Sequence, residues 1–167
     1  MRLASAIVVI IVMGVSGSGK TTVGRALAHA VNGDFQDADD FHSPANVDKM
    51  RRGIPLSASD REPWAQSLRN AIDEWLKRPG VTVLACSALT SRIRRALGVH
   101  RDGVHTVLLH GDEDLIAYRM RQRKHFMPSD LLESQLALLE PPSDALVLDV
   151  AKPVDELVGE IRRGLGV

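Results

Sequence analysis

An unbroken apolar run from Ala6 to Met13, rich in Val and Ile, lies near the start of the chain. A run with no polar face predicts a strand covered on both sides, as in a parallel sheet. Phe35 to Asp37, Val81 to Cys86, Val104 to Leu109 and Ala145 to Val150 are four further strand candidates. Between them the apolar positions change period. Val23, Ala26, Leu27, Ala30 and Val31 recur at helical spacing, and Trp64, Leu68, Ile72 and Trp75 form the stripe of a longer helix. Ser59 and Glu62 have the spacing of a capping box at its start, and Pro79-Gly80 ends it. Asp112 before Leu115, Ile116 and Met120, Ser129 before Leu132, Leu136 and Leu139, and Pro153 before Leu157, Val158 and Ile161 mark later helices. Alternating strands and helices predict one three-layer α/β domain over residues 1–167, with a mainly parallel five-stranded sheet. Periodicity leaves the strand order open.

Length and charge narrow the picture. The 167 residues suit a single domain, and Lys plus Arg equals Asp plus Glu at 21 each, so no general field favours nucleic acid or an anionic membrane. Cys86 is the single cysteine, which excludes an internal disulfide and fits a reducing compartment, the cytoplasm by default. The N-terminal MRLASAIVVIIVMG imitates a signal peptide, but its apolar run is too short to span a bilayer. Cleavage would also remove the strand that leads into the next motif.

That motif is Gly14-Val15-Ser16-Gly17-Ser18-Gly19-Lys20-Thr21, which fits G-x-x-x-x-G-K-[ST] between a strand and a helix. Glycines let the backbone curl so that its N–H groups face a phosphate, and the helix that follows adds its positive end. Lys20 is then placed for the β- and γ-phosphates and Thr21 for Mg²⁺, with Thr22 beside them. Ser16 and Ser18 either touch phosphate or are merely small enough for the loop. The absence of Asn-Lys-x-Asp weakens a GTPase reading, and a motor needs more chain. A small kinase or a nucleotide-dependent switch remains.

The acceptor side is signalled by Asp37-Ala38-Asp39-Asp40-Phe41-His42. Carboxylates this close repel unless a cation or hydroxyl sits among them. Asp37, at a strand end, is positioned to face the hydration shell of a metal, and Asp39 to take a hydrogen bond from an acceptor hydroxyl. Asp40 reads as a cap for the helix beginning near Pro44. Farther on, Arg119 and Arg123 share one side of a helix at i and i+4. Trp64 and Trp75 read as core, and Cys86 as a small buried hydrophobe.

Four segments together, MGVSGSGKTT from Met13, DADDFHSPANVDKMRRGIPLSASDREPW from Asp37, CSAL from Cys86 and HFMPSDLLESQLALLEPP from His125, resemble the bacterial-type gluconokinases. The resemblance implies a nucleoside-monophosphate-kinase-like fold with a mobile lid over residues 119–130, and ATP with Mg²⁺ as cosubstrates. It also implies D-gluconate as the small-molecule substrate, phosphorylated on its 6-hydroxyl, and a homodimer. Lys20, Asp39, Arg119 and Arg123 then become catalytic candidates, and the loop ending in Pro153 lies on the adenine side. Gluconate has one carboxylate and a row of hydroxyls, for which His42, Arg61, Ser87, Arg92, His125 and Gln135 are the candidate contacts. There are two departures. Thr90 stands where the family commonly has lysine, making Arg92 or Arg94 the substitute, and the Arg123–Phe126 tip is one residue shorter, which shifts His125.

Overall fold

The computed structural model describes residues 6–123 and 129–167. Its strands are β1 (Ile7–Met13), β2 (Asp34–Asp37), β3 (Gly80–Ala85), β4 (Val104–His110) and β5 (Leu146–Asp149). All neighbouring pairs are parallel, and the order is β2-β3-β1-β4-β5. The central strand is therefore the apolar run predicted to be covered on both faces. Its side chains alternate between two cores, as a pleated strand requires. Ile10 and Val12 meet Val23 and Leu27 of α1 (Lys20–Ala30) and Ile161 of α7 (Val154–Leu165). Val9, Ile11 and Met13 meet Trp64, Leu68 and Ile72 of α3 (Ala58–Trp75). Helices thus cover both faces of the sheet.

Two helix starts differ from expectation. The α3 capping box is Ser57 with Asp60, two residues upstream of Ser59 and Glu62: Asp60 N–H donates to Ser57 Oγ at 3.1 Å, and Ser57 N–H to Asp60 Oδ2 at 2.9 Å. The same Asp60 carboxylate holds Lys49 Nζ at 2.9 Å through each oxygen, tying α3 to α2 (Pro44–Arg51). That second bond favours this frame over the other. The α2 cap is Ser43, whose Oγ accepts from Asn46 N–H at 3.2 Å, so the capping role read for Asp40 is incorrect; Asp40 is exposed. Thr90 caps a short helix α4 (Ser91–Leu97), accepting from Ile93 N–H at 3.2 Å. Asp112 caps α5 (Glu113–Arg121) as predicted, and α6 (Ser129–Leu138) follows. Residues 124–128 of the expected lid, with Lys124 and His125, lie outside the described residues.

Candidate active site

Parallel strands send all their following loops to one edge, and the candidate residues gather there. The glycine loop follows β1, Asp37 ends β2, and Ser87 follows β3. Two glycines show what the loop requires. Gly17 has φ +82°, and a Cβ there would stand 2.4 Å from Met120 Cγ, so the loop is seated against α5. Gly19 has φ +99°, and a Cβ there would meet nothing within 4 Å. The loop is packed behind and open in front, as a phosphate cradle must be. The Ser18 hydroxyl is buried and has no partner among the described residues.

Thr21 Oγ1 lies 3.4 Å from Asp37 Oδ2, which joins the two residues expected to serve Mg²⁺. Hard oxygens from a hydroxyl and a carboxylate, open to water and phosphate, fit a cation that keeps most of its waters. The other oxygen of Asp37 accepts Asp39 N–H at 3.0 Å and caps the 3₁₀ turn Ala38–Phe41. Lys20 folds back so that Nζ donates to Val15 O at 3.0 Å. Surrounding protein lowers its pKa, opposed by the charges of Asp39 and Asp37, while Arg123 lowers it further. Asp39 moves the other way. Solvent reaches its side chain, yet loss of hydration is the main cause of its raised pKa, followed by repulsion from Asp37 and Asp40, with Lys20 pulling it down. This carboxylate and this amine, with opposed shifts, are near enough for each to act on the other's charge. The buried Cys86 thiol is pushed up to about 12 by burial, consistent with an inert packing residue.

Trp64, read from sequence as core, has a second role. Its Nε1–H donates to Ala38 O at 2.8 Å in the interior, anchoring the turn that carries Asp39. His42 stacks on the same indole, with centroids 4.7 Å apart and planes 7° from parallel. Its Nδ1 lies 3.4 Å from Asn46 Nδ2, which leaves Nε2 as the free ring nitrogen of that edge. Burial and the Arg61 charge lower the His42 pKa. The stripe signal that placed Trp64 in the core could not show where its N–H pointed; Asn46, buried beside His42, carried no signal.

On the other side of the glycine loop, a cavity of about 450 Å³ is lined by Gly17–Gly19, Thr22, Arg119, Arg123, Lys152 and Val154, among others. It brings together both predicted arginines, and Arg119 donates to Val150 O at 2.7 Å. Pro153 is not among its lining residues: it precedes α7 at the cap position, and its neighbours Lys152 and Val154 face the cavity instead. Three acceptor-side candidates have definite surroundings. Gln135 is engaged with the glycine loop: Ser16 N–H donates to its Oε1 at 2.7 Å and its Nε2 to Ser16 Oγ at 3.0 Å. Arg92 is exposed on α4, and Arg94 is buried and turned inward, donating to Ala88 O at 2.9 Å. Ala88 has φ +43°, a costly conformation for alanine, which the Arg94 contact helps to hold. Arg94 thus shapes the loop after β3.

A family model described as Shikimate kinase matches residues 16–144. A probable gluconokinase of Dictyostelium discoideum is 41% identical over 167 residues, covering 92% of this chain and 84% of that protein. The thermosensitive gluconokinase of Escherichia coli strain K12 is 38% identical over 160 residues, covering 93% and 86%. Among solved structures, a gluconokinase from Sinorhizobium meliloti 1021 superposes with TM-score 0.82 at 43% identity, over 99% of this chain and 94% of that one. A shikimate kinase from Bacteroides thetaiotaomicron reaches TM-score 0.69 over 96% and 99%, but at 20% identity shares only the fold.

Proposed function

The chain belongs to the gluconokinase family, within the wider group of small kinases that share the shikimate kinase fold, and from that premise we propose that it phosphorylates gluconate with ATP. The 6-hydroxyl is the acceptor, Mg²⁺ the metal, and a cytoplasmic homodimer the working form. The observation that carries the reading is the pairing of Thr21 with Asp37 at the glycine loop, with Lys20 and Asp39 near enough to act on each other's charge.

Phosphoryl transfer passes through a loose transition state with charge spread over the phosphoryl oxygens, so positioning and electrostatics dominate. Lys20 supplies a fixed positive charge to those oxygens. Arg119 and Arg123, lining the adjoining cavity, supply two more from the opposite side. Bound at Thr21 and Asp37, Mg²⁺ would neutralise phosphate charge during transfer. Asp39 orients the acceptor hydroxyl and takes its proton at a carboxylate oxygen. Its raised pKa makes it a better proton acceptor than an ordinary aspartate. His42 Nε2 and Arg61 offer donors to the sugar acid's hydroxyls and carboxylate.

Purified protein with ATP and Mg²⁺, assayed for ADP release over gluconate, shikimate, nucleoside monophosphates and no acceptor, tests the proposal. Rapid release with gluconate alone is expected. Preference for shikimate or a nucleoside monophosphate would replace the assignment, and equal release without any acceptor would make the chain a nucleotide-hydrolysing switch.

A further inference from the structure

The segment from α6 to Glu140 crosses the edge of the sheet where the loops emerge. Leu132 and Leu136 pack with the core beneath α1 and α7, whereas Leu139 packs with the opposite core beneath α3. Between these anchors it makes two sets of polar contacts. At one end the Gln135 carboxamide grips Ser16 twice, through N–H to Oε1 at 2.7 Å and Nε2 to Oγ at 3.0 Å. Two bonds to one residue fix orientation as well as distance. At the other end Glu140 N–H donates to Leu89 O at 2.8 Å, and its Oε2 accepts Ser91 N–H at 3.1 Å. Ser16 belongs to the loop after β1, and Leu89 and Ser91 to the connection after β3; these strands are direct neighbours in the sheet.

We propose that residues 135–140 form a strap in which Gln135 and Glu140 are positioning residues, holding the phosphate loop and the Ser87–Thr90 loop at a fixed separation. The inference rests on the kinase reading, in which the first loop serves the donor and the second faces the acceptor. A misplacement of about 1 Å between reacting groups can cost on the order of a hundredfold in rate, so a clamp between these loops acts on turnover. Neither residue touches the reacting atoms. The Glu140 carboxylate is held below its usual range chiefly by Ser91, with Arg94 and Arg95 adding to it, so it remains an anion throughout the working range.

Two independent local contacts would look the same in a static structure, and coupling distinguishes them. Hydrogen exchange of the unliganded protein is followed in peptides covering residues 14–21 and 86–94, for wild type, Gln135→Ala, Glu140→Ala and Glu140→Gln. A strap predicts that cutting either end speeds exchange at both, and that Glu140→Gln, which keeps an acceptor for Ser91 N–H, restores slow exchange. Acceleration confined to the mutated end overturns the proposal. In steady-state assays each alanine variant should lower kcat with gluconate about tenfold with KM for ATP nearly unchanged, and the double variant should be no worse than about tenfold, since the strap is already cut. Multiplication of the two effects to about a hundredfold would mean separate roles and would also overturn it. If the wild type fails to phosphorylate gluconate, the function fails instead, and the exchange experiment still judges the strap.

Discussion

Replacing Trp64 with phenylalanine separates the indole's packing from its hydrogen bond. Phenylalanine keeps an aromatic face for His42 but cannot donate to Ala38 O, which loses a 2.8 Å buried partner. Leaving such an acceptor unsatisfied costs about 1–3 kcal/mol. The smaller ring removes about 1 kcal/mol more of buried surface, by the scale of a lost methylene or two. The total is about 2–4 kcal/mol, or roughly 5–15 °C in Tm for a domain of this size. The kinetic effect should be selective, because the bond anchors the turn bearing Asp39: kcat/KM for gluconate should fall about 5- to 30-fold, equivalent to 1–2 kcal/mol of lost positioning, with KM for ATP unchanged. Thermal melting and a coupled ADP assay, run well below Tm, measure both. Leu68→Ala is the control, since Leu68 is fully buried on the same helix face and its truncation should cost about 2–5 kcal/mol without altering kinetics. If Trp64→Phe loses stability but keeps wild-type kcat/KM, or if Leu68→Ala damages gluconate turnover equally, the indole is only core and the anchoring argument is wrong.

Asp39→Asn should lower kcat by about a hundredfold or more, whereas Asp40→Asn should change it little; the reverse ranking would reassign the acceptor carboxylate. Because the folded pKa of Asp39 is raised, its charge opposes folding above that pKa. Asp39→Asn should therefore raise Tm near neutral pH, with the gain shrinking as pH falls through the folded pKa and vanishing below the unfolded one; a lower Tm at neutral pH would contradict the shift. In wild type the acid limb of kcat/KM for gluconate should lie above the ordinary aspartate range, and a limb at or below it would exclude Asp39 as proton acceptor. Thr90→Ala should cost about 1 kcal/mol through the lost α4 cap while gluconate kinetics hold, and a large KM change would show position 90 touching substrate.

The parts legible in the sequence were those with a local signal. Val- and Ile-rich runs located most of the strands to within a residue or so, and the glycine loop announced itself because backbone geometry demands its residues. The carboxylates of the second strand were legible for a similar reason, since their crowding needs an explanation. The α3 start was misread because Ser57/Asp60 and Ser59/Glu62 share one spacing, and only the tertiary bond from Lys49 to Asp60 selects between them. Arg94 was read in SRIRRAL, with Arg92, as a substitute for the family lysine; that it turns inward to Ala88 is something no local pattern encodes. Gln135 was equally opaque: its partner Ser16 is brought to it by the sheet, not by nearby sequence.

The position of β1 has a consequence for synthesis. Its two partners are β3 and β4, and it never pairs with β2, the strand that follows it in the chain. While a ribosome is making this polypeptide, Ile7–Met13 therefore emerges long before Gly80–Ala85 exists to receive it. At about 5–20 residues per second, that interval is on the order of 4–15 seconds. Throughout it, the most apolar stretch of the chain has no edge to pair with, and the glycine loop attached to it has no support. Nascent chains should be most prone to capture by chaperones or to clumping on crowded polysomes in this window, and ATP should gain no foothold until β3 has been translated and docked.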